Sequence, residues 1–186
     1  LEDNEDQSSE QLNLKARNTS IKEGAAYSVM EGMGHRYITP YGLAMGASNT
    51  QVGMLSTLPP LVGSFSQLGT IRLMEKWPRK RIIFIVAFLQ ACMWLALLGI
   101  GTLYFDHDWR GPMPANLVIL VYMVLFVFGS MIAPAWTSWM RDLVPNKLGS
   151  YFGFRNRVIG FVLLIAMLAG GFILDYFRSE RVFLGF

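Results

Sequence analysis

Cysteine is almost missing from this chain of 186 residues. Cys92 stands alone, so no internal disulfide can form, and the redox compartment stays open. Histidine is nearly as scarce, with His35 and His107 the two present. No Gly-x-Ser-x-Gly, His-Glu-x-x-His or phosphate loop occurs, which leaves hydrolase, metalloprotease and ATP-driven chemistry without a foothold. No enzyme activity, cofactor or metal site is expected. A formal net charge of +3 is too small to point to nucleic acid. The start of the chain lacks the basic and apolar regions of a secretory signal, so nothing suggests cleavage or export.

Long apolar runs are what the chain does have. Hydrophobic residues make up 53% of it, and the runs 82–105, 117–140 and 158–177 each meet the length of about 20 residues that crosses a bilayer. A membrane protein with the lipid bilayer as its surroundings is expected. The first 20 residues differ: they hold five of the 13 acids (Glu2, Asp3, Glu5, Asp6, Glu10) and no aromatic, so residues 1–20 read as a disordered acidic tail.

Basic residues then set a topology, because Lys and Arg near span ends stay on the cytoplasmic side. Lys15, Arg17 and Lys22 precede the spans; Arg72, Lys76, Arg79, Lys80 and Arg81 form a second group, and Arg141, Lys147, Arg155 and Arg157 a third. Only Arg110, Arg178 and Arg181 fall on the opposite face. For the tail and the second group to share a side, the stretch 21–69 must hold two spans or none. Two fit, over about 24–45 and 50–69, joined by a turn at Gly46, Ala47, Ser48 and Asn49. An interfacial segment and a three-span protein is the competing layout. Against it, no charged residue stands between Arg36 and Arg72. Small residues on the second span (Gly53, Thr57; Ser56, Pro60, Ser64) also suit close helix contacts. The expectation is an all-α membrane protein: a membrane domain over 21–186 with five transmembrane helices, the amino terminus inside, and the start of a sixth at Val182 to Phe186. A chain that opens on Leu1 and ends inside an apolar run reads as a fragment of a longer protein.

Polarity singles out the first span. Glu31, His35 and Arg36 lie near its centre, where a charge facing lipid costs about 2.5–3.5 kcal/mol, so such groups face a bundle interior or water. On a straight helix Glu31 and His35 share a face with Tyr27, while Arg36 is turned by about 100° from His35. Removal from water makes a carboxylate hold its proton and a nearby cation opposes that, a balance suited to a proton carrier. A purely structural pair of Glu31 with Arg36 or His35 is the plainer alternative. Tyr122 and Trp136 complete the expected substrate or ion pathway, although Trp136 and Trp139 could simply anchor the fourth span at the interface. Pro40, Pro59, Pro60 and Pro134 each interrupt helix hydrogen bonding, which is tolerated where neighbours or a cavity satisfy the freed carbonyls. Glu75 and Asp142 are acids at two cytoplasmic span boundaries, among Arg79, Lys80, Arg141, Arg155 and Arg157.

The order of these features resembles the amino-terminal half of a major facilitator superfamily transporter: a polar first span, the Gly-Ala-Ser-Asn turn before Gln51, Val52 and Gly53, a Pro-broken second span ending at Gln67, then Leu73, Met74, Glu75, Lys76, Trp77, Pro78, Arg79 and Lys80. The family's loop reads Gly-x-x-x-Asp-Arg-x-Gly-Arg-Arg; here Glu75, Lys76, Arg79 and Lys80 match in charge and spacing, while Ile71 and Pro78 replace the glycines. A second stretch, Trp139 to Pro145 followed by Gly149, Gly153, Phe154, Arg155 and Asn156, resembles the equivalent loop in one prokaryotic branch. Gly170 and Gly171 lack the proline of the antiporter motif, so a drug antiporter is not implied. The resemblance implies the amino-terminal six-helix domain of a twelve-helix carrier in a prokaryotic inner membrane. It further implies secondary transport of a small solute by alternating access, coupled to an ion, with the proton favoured. The partner that completes the site is then the carboxy-terminal half of the same protein. By the same resemblance Glu75 and Arg79 act as a cytoplasmic latch, with Asp142, Arg155 and Arg157 around the gate. A membrane sensor or assembly partner that keeps the fold without the cycle is the alternative.

Overall fold

The computed structural model of the chain describes residues 2–107, 109–143 and 148–177, and these are helical almost throughout. Six α-helices follow one another: α1 (Glu2–Met33), α2 (Ile38–Ala44), α3 (Asn49–Met74), α4 (Arg79–Asp106), α5 (Pro112–Leu143) and α6 (Leu148–Phe177). A short 3-10 turn, His35–Tyr37, links α1 to α2. The helices Arg79–Asp106, Pro112–Asp142 and Gly149–Tyr176 are long and apolar enough to cross a membrane. They correspond to the three apolar runs of the sequence.

Two departures concern the amino-terminal region. Residues 2–20, read from composition as a disordered tail, belong to α1. Their Glu, Gln, Leu, Lys, Ala and Arg are strong helix formers, and local propensity needs no buried surface to act. The stretch 24–45, read as one span, is broken: α1 stops at Met33, and the chain tightens through Gly34 into the 3-10 turn before α2 resumes. Pro40 stands in the first turn of α2, where a missing N–H is tolerated. Pro59 and Pro60 lie inside α3 and Pro134 inside α5 without ending either helix. The expected start of a sixth span at 182–186, and the loop 144–147, lie outside the described residues.

The chain forms two compact units, one from Leu1–Tyr37 with Trp139–Tyr176, the other centred on Ile38–Ser138. In the second unit, Tyr41, Leu55, Leu97, Val118, Tyr122 and Leu125 share one apolar core, and Ile82, Val86 and Ala135 make a smaller one. Contacts give the helix directions. Gln51 at the start of α3 reaches Asn116 at the start of α5, and Ser66 further along reaches Val127, so α3 and α5 run parallel. Tyr41 of α2 donates to the Leu97 carbonyl of α4, while Arg79 and Gln90 of α4 meet Ser138 and Gly129 of α5, making α4 and α5 antiparallel. A capping box starts α3: Ser48 Oγ accepts from the Gln51 N–H and the Gln51 amide oxygen accepts from the Ser48 N–H. Gly46, at φ 77°, makes the turn before it, a backbone shape that favours glycine.

Candidate functional site

The first unit is a seam between α1 and α6, and small residues make it. Every fourth residue of α1 from Ser20 through Gly24 and Ser28 to Gly32 is buried, a spacing that places all of them on one face. A side-chain carbon added at Gly32 would come within 2.7 Å of Ala166 Cβ and 3.0 Å of the Leu163 carbonyl oxygen. One added at Gly24 would strike Ile159 and the Arg155 guanidinium. Without side chains the two backbones approach closely, which is how membrane helices associate when lipid supplies no hydrophobic drive. Tyr37 closes the seam beyond the helix break, its hydroxyl donating to the Met167 carbonyl at 2.6 Å beside Gly171.

These contacts also give depth. Residues 24 to 37 of α1 and the turn climb past residues 155 to 171 of α6, so the two helices are parallel. On α6 no charged residue stands between Arg157 and Asp175, and Ala166 is the midpoint of that stretch. Gly32 packs against Ala166. Glu31 and Arg36 therefore flank the middle of the apolar run, about 1.5 Å below and 6 Å above the level of Gly32.

At that level the two charges meet. Arg36 Nη2 donates to Glu31 Oε1 at 3.0 Å, with side chains 51% and 33% exposed. A spacing of five residues would set them far apart around a straight helix. The helix breaks between them, after Met33, so straight-helix spacing does not govern the pair. His35 is half-buried on the same turn and Tyr27 is exposed one turn before Glu31. Of the expected pathway residues, Tyr27, Glu31, His35 and Arg36 thus share one region of this unit. Tyr122 belongs to the second unit, where it is 6% exposed in the apolar core, edge-to-face with Phe126. Trp136 is half-buried on α5 in that unit.

Among the residues expected at the gate, Arg155 has the richest surroundings. Its side chain is 12% exposed, and Nε donates to Ser20 Oγ at 3.2 Å while Nη2 lies 3.5 Å from Glu23 Oε2. Arg17 stacks over the Tyr151 ring at the same end of the seam. Ser20 and Glu23 escaped sequence reasoning, although the recurrence of small residues at 20, 24, 28 and 32 was a signal for the face on which Ser20 lies. In the second unit, Arg79 Nη1 reaches the Ser138 carbonyl near the end of α5 at 3.5 Å, a cation at a helix carboxyl terminus. Glu75 caps the end of α3 through its backbone, with its side chain exposed. Asp142 and Arg157 are exposed as well. No group of three or more metal-ligating side chains occurs among the described residues.

A family model described as Major Facilitator Superfamily matches residues 26–186. The chain belongs to the major facilitator superfamily. Members of this superfamily are typically membrane transporters rather than enzymes, and the three apolar helices accord with an integral membrane protein. No curated protein and no solved structure matches the chain. The match covers Ser28 and Gly32 of the seam, the ion pair and the apolar core of the second unit, but not Ser20 or Gly24. It begins at residue 26, so Glu31 and Arg36 lie within the matched range.

Proposed function

We propose that the chain is the amino-terminal part of a secondary active transporter that moves a small solute by alternating access, driven by an ion gradient in which the proton is the coupling ion. The observation that carries this is the Glu31–Arg36 ion pair level with the middle of the apolar run of α6. Ionisable groups at mid-span are costly unless they face water or protein, and they are functional candidates for that reason. A broken helix beside such a pair is also typical of carrier sites, where irregular backbone lines a cavity.

Helix direction supports five crossings. Parallel α1 and α6 in one unit, parallel α3 and α5 in the other, and antiparallel α4 and α5 are what first and fifth, second and fourth, and third and fourth spans would show. Amino terminus inside, Arg17, Arg79 and Arg155 then all fall on the cytoplasmic side. Arg155 with Ser20 and Glu23 would hold α1 to α6 there, and Arg79 with the end of α5 would form part of the latch. A second six-helix bundle, the carboxy-terminal half, completes the solute site.

The test uses the full-length protein in proteoliposomes. Glu31→Gln keeps size and hydrogen bonding but removes titration, so it should abolish accumulation against a gradient while downhill exchange stays measurable. Concentrative uptake at normal stoichiometry by this variant would make Glu31 structural. Topology is tested separately: in a Cys92→Ala background, Cys at position 48 should label from outside and Cys at position 76 from inside.

A further inference from the structure

Arg36 is the one Lys or Arg in the long stretch between Lys22 and Arg72. Its guanidinium has five N–H donors. One of its nitrogens, Nη2, meets one carboxylate oxygen of Glu31, and among the described residues no other partner of Arg36 is found. Half of the side chain is exposed at the middle of the apolar run. An arginine there with open donors is matched to a planar group that accepts two parallel hydrogen bonds.

We propose that Arg36 is the anchor for the solute, and that the solute is a monocarboxylate which takes the guanidinium from Glu31. The inference rests on the transporter reading and names its substrate class. Charge balance favours a single carboxylate over a dianion. The resting pair is neutral, and α6, which packs against it, has no ionisable residue between Arg157 and Asp175. Tyr27 on α1, with His35 and Tyr37 on the turn, are the other titratable groups nearby. When the solute carboxylate pairs with Arg36, the released Glu31 carboxylate would leave one negative charge in the middle of the span. Binding one proton at Glu31 restores neutrality, so one anion and one proton move together and no net charge crosses.

The experiment reads dissociation constants from ligand-dependent thermal unfolding of the full-length protein in detergent. The probes are monocarboxylates from acetate to decanoate, benzoate, the matching neutral amides, and glycerol phosphate as the dianion. A monocarboxylate should bind with its amide at least tenfold weaker. Arg36→Gln should weaken that binding at least tenfold, Arg36→Lys should fall between, and Glu31→Gln should strengthen it several-fold by removing the competitor. If Arg36→Gln does not fold, the Glu31→Gln/Arg36→Gln pair, neutral as a unit, is compared with Glu31→Gln alone. Equal binding of amide and acid, unchanged binding without Arg36, or no binding by any monocarboxylate overturns the proposal. Binding that follows these rules with no uptake into proteoliposomes keeps the anion site and sinks the transporter reading. Uptake of a neutral or cationic solute that is indifferent to Arg36→Gln does the reverse.

Discussion

The two units are held together by different means. The second packs bulky side chains, Tyr41, Leu97, Tyr122 and Leu125 among them, into an apolar core. The first brings backbones together across Ser20, Gly24, Ser28 and Gly32 and places its side-chain polarity at the two ends of that seam. An apolar core tolerates exchange of one hydrophobic shape for another, with local repacking. A seam of bare backbone cannot repack, so it fixes the position of whatever charge it supports.

Substitutions in the full-length protein, read by thermal unfolding in detergent, can break or sharpen this contrast. Leu125→Ala, at a fully buried position of the core, should cost most, about 2–4 kcal/mol, through the cavity it leaves. Gly32→Ala should follow at about 1–3 kcal/mol, because the added carbon meets the Leu163 backbone, which cannot rotate away. Gly63→Ala, in the second unit, meets side chains instead of backbone, Ser130 Oγ at 2.5 Å and the Phe126 ring at 2.8 Å; the hydroxyl can turn aside and the ring can shift, so the loss should be smaller, about 1 kcal/mol. If Gly63→Ala proves as damaging as Gly32→Ala, the distinction between a backbone seam and a side-chain core is lost. Glu23→Gln removes an ion partner that is 52% exposed and should cost no more than about 0.5 kcal/mol. Gly53→Ala, with nothing within 4 Å of the added carbon, should gain about 0.5–1 kcal/mol from helix propensity alone.

What the sequence made legible follows the same division. Helices α4, α5 and α6 were readable because each is a continuous apolar run, and hydropathy needs no partner to be seen. The break at Gly34 was not, since a single glycine and a proline six residues later are compatible with either a straight or an interrupted helix. Glu31 and Arg36 were recognised as residues, and their pairing was one of two that the charges allowed; the helix break between them was what stayed hidden. The partners of Arg155 lie 135 and 132 residues away, so no local pattern could supply them. Tyr122 is a further case: an aromatic with a hydroxyl reads equally well as cavity lining or as core, and within its own unit it is packed in the apolar core.

The separation of the seam's two strips along the chain has a consequence for synthesis. Met33 ends α1 and Leu148 begins α6, so at roughly 5–20 residues per second the ribosome takes on the order of 10 s to deliver the partner of α1. During that interval the Gly and Ser face has nothing to press against. The Glu31–Arg36 contact spans only five residues and can form as soon as the turn emerges. The charges at the end of α1 and on the turn after it can thus offset each other well before α6 is made.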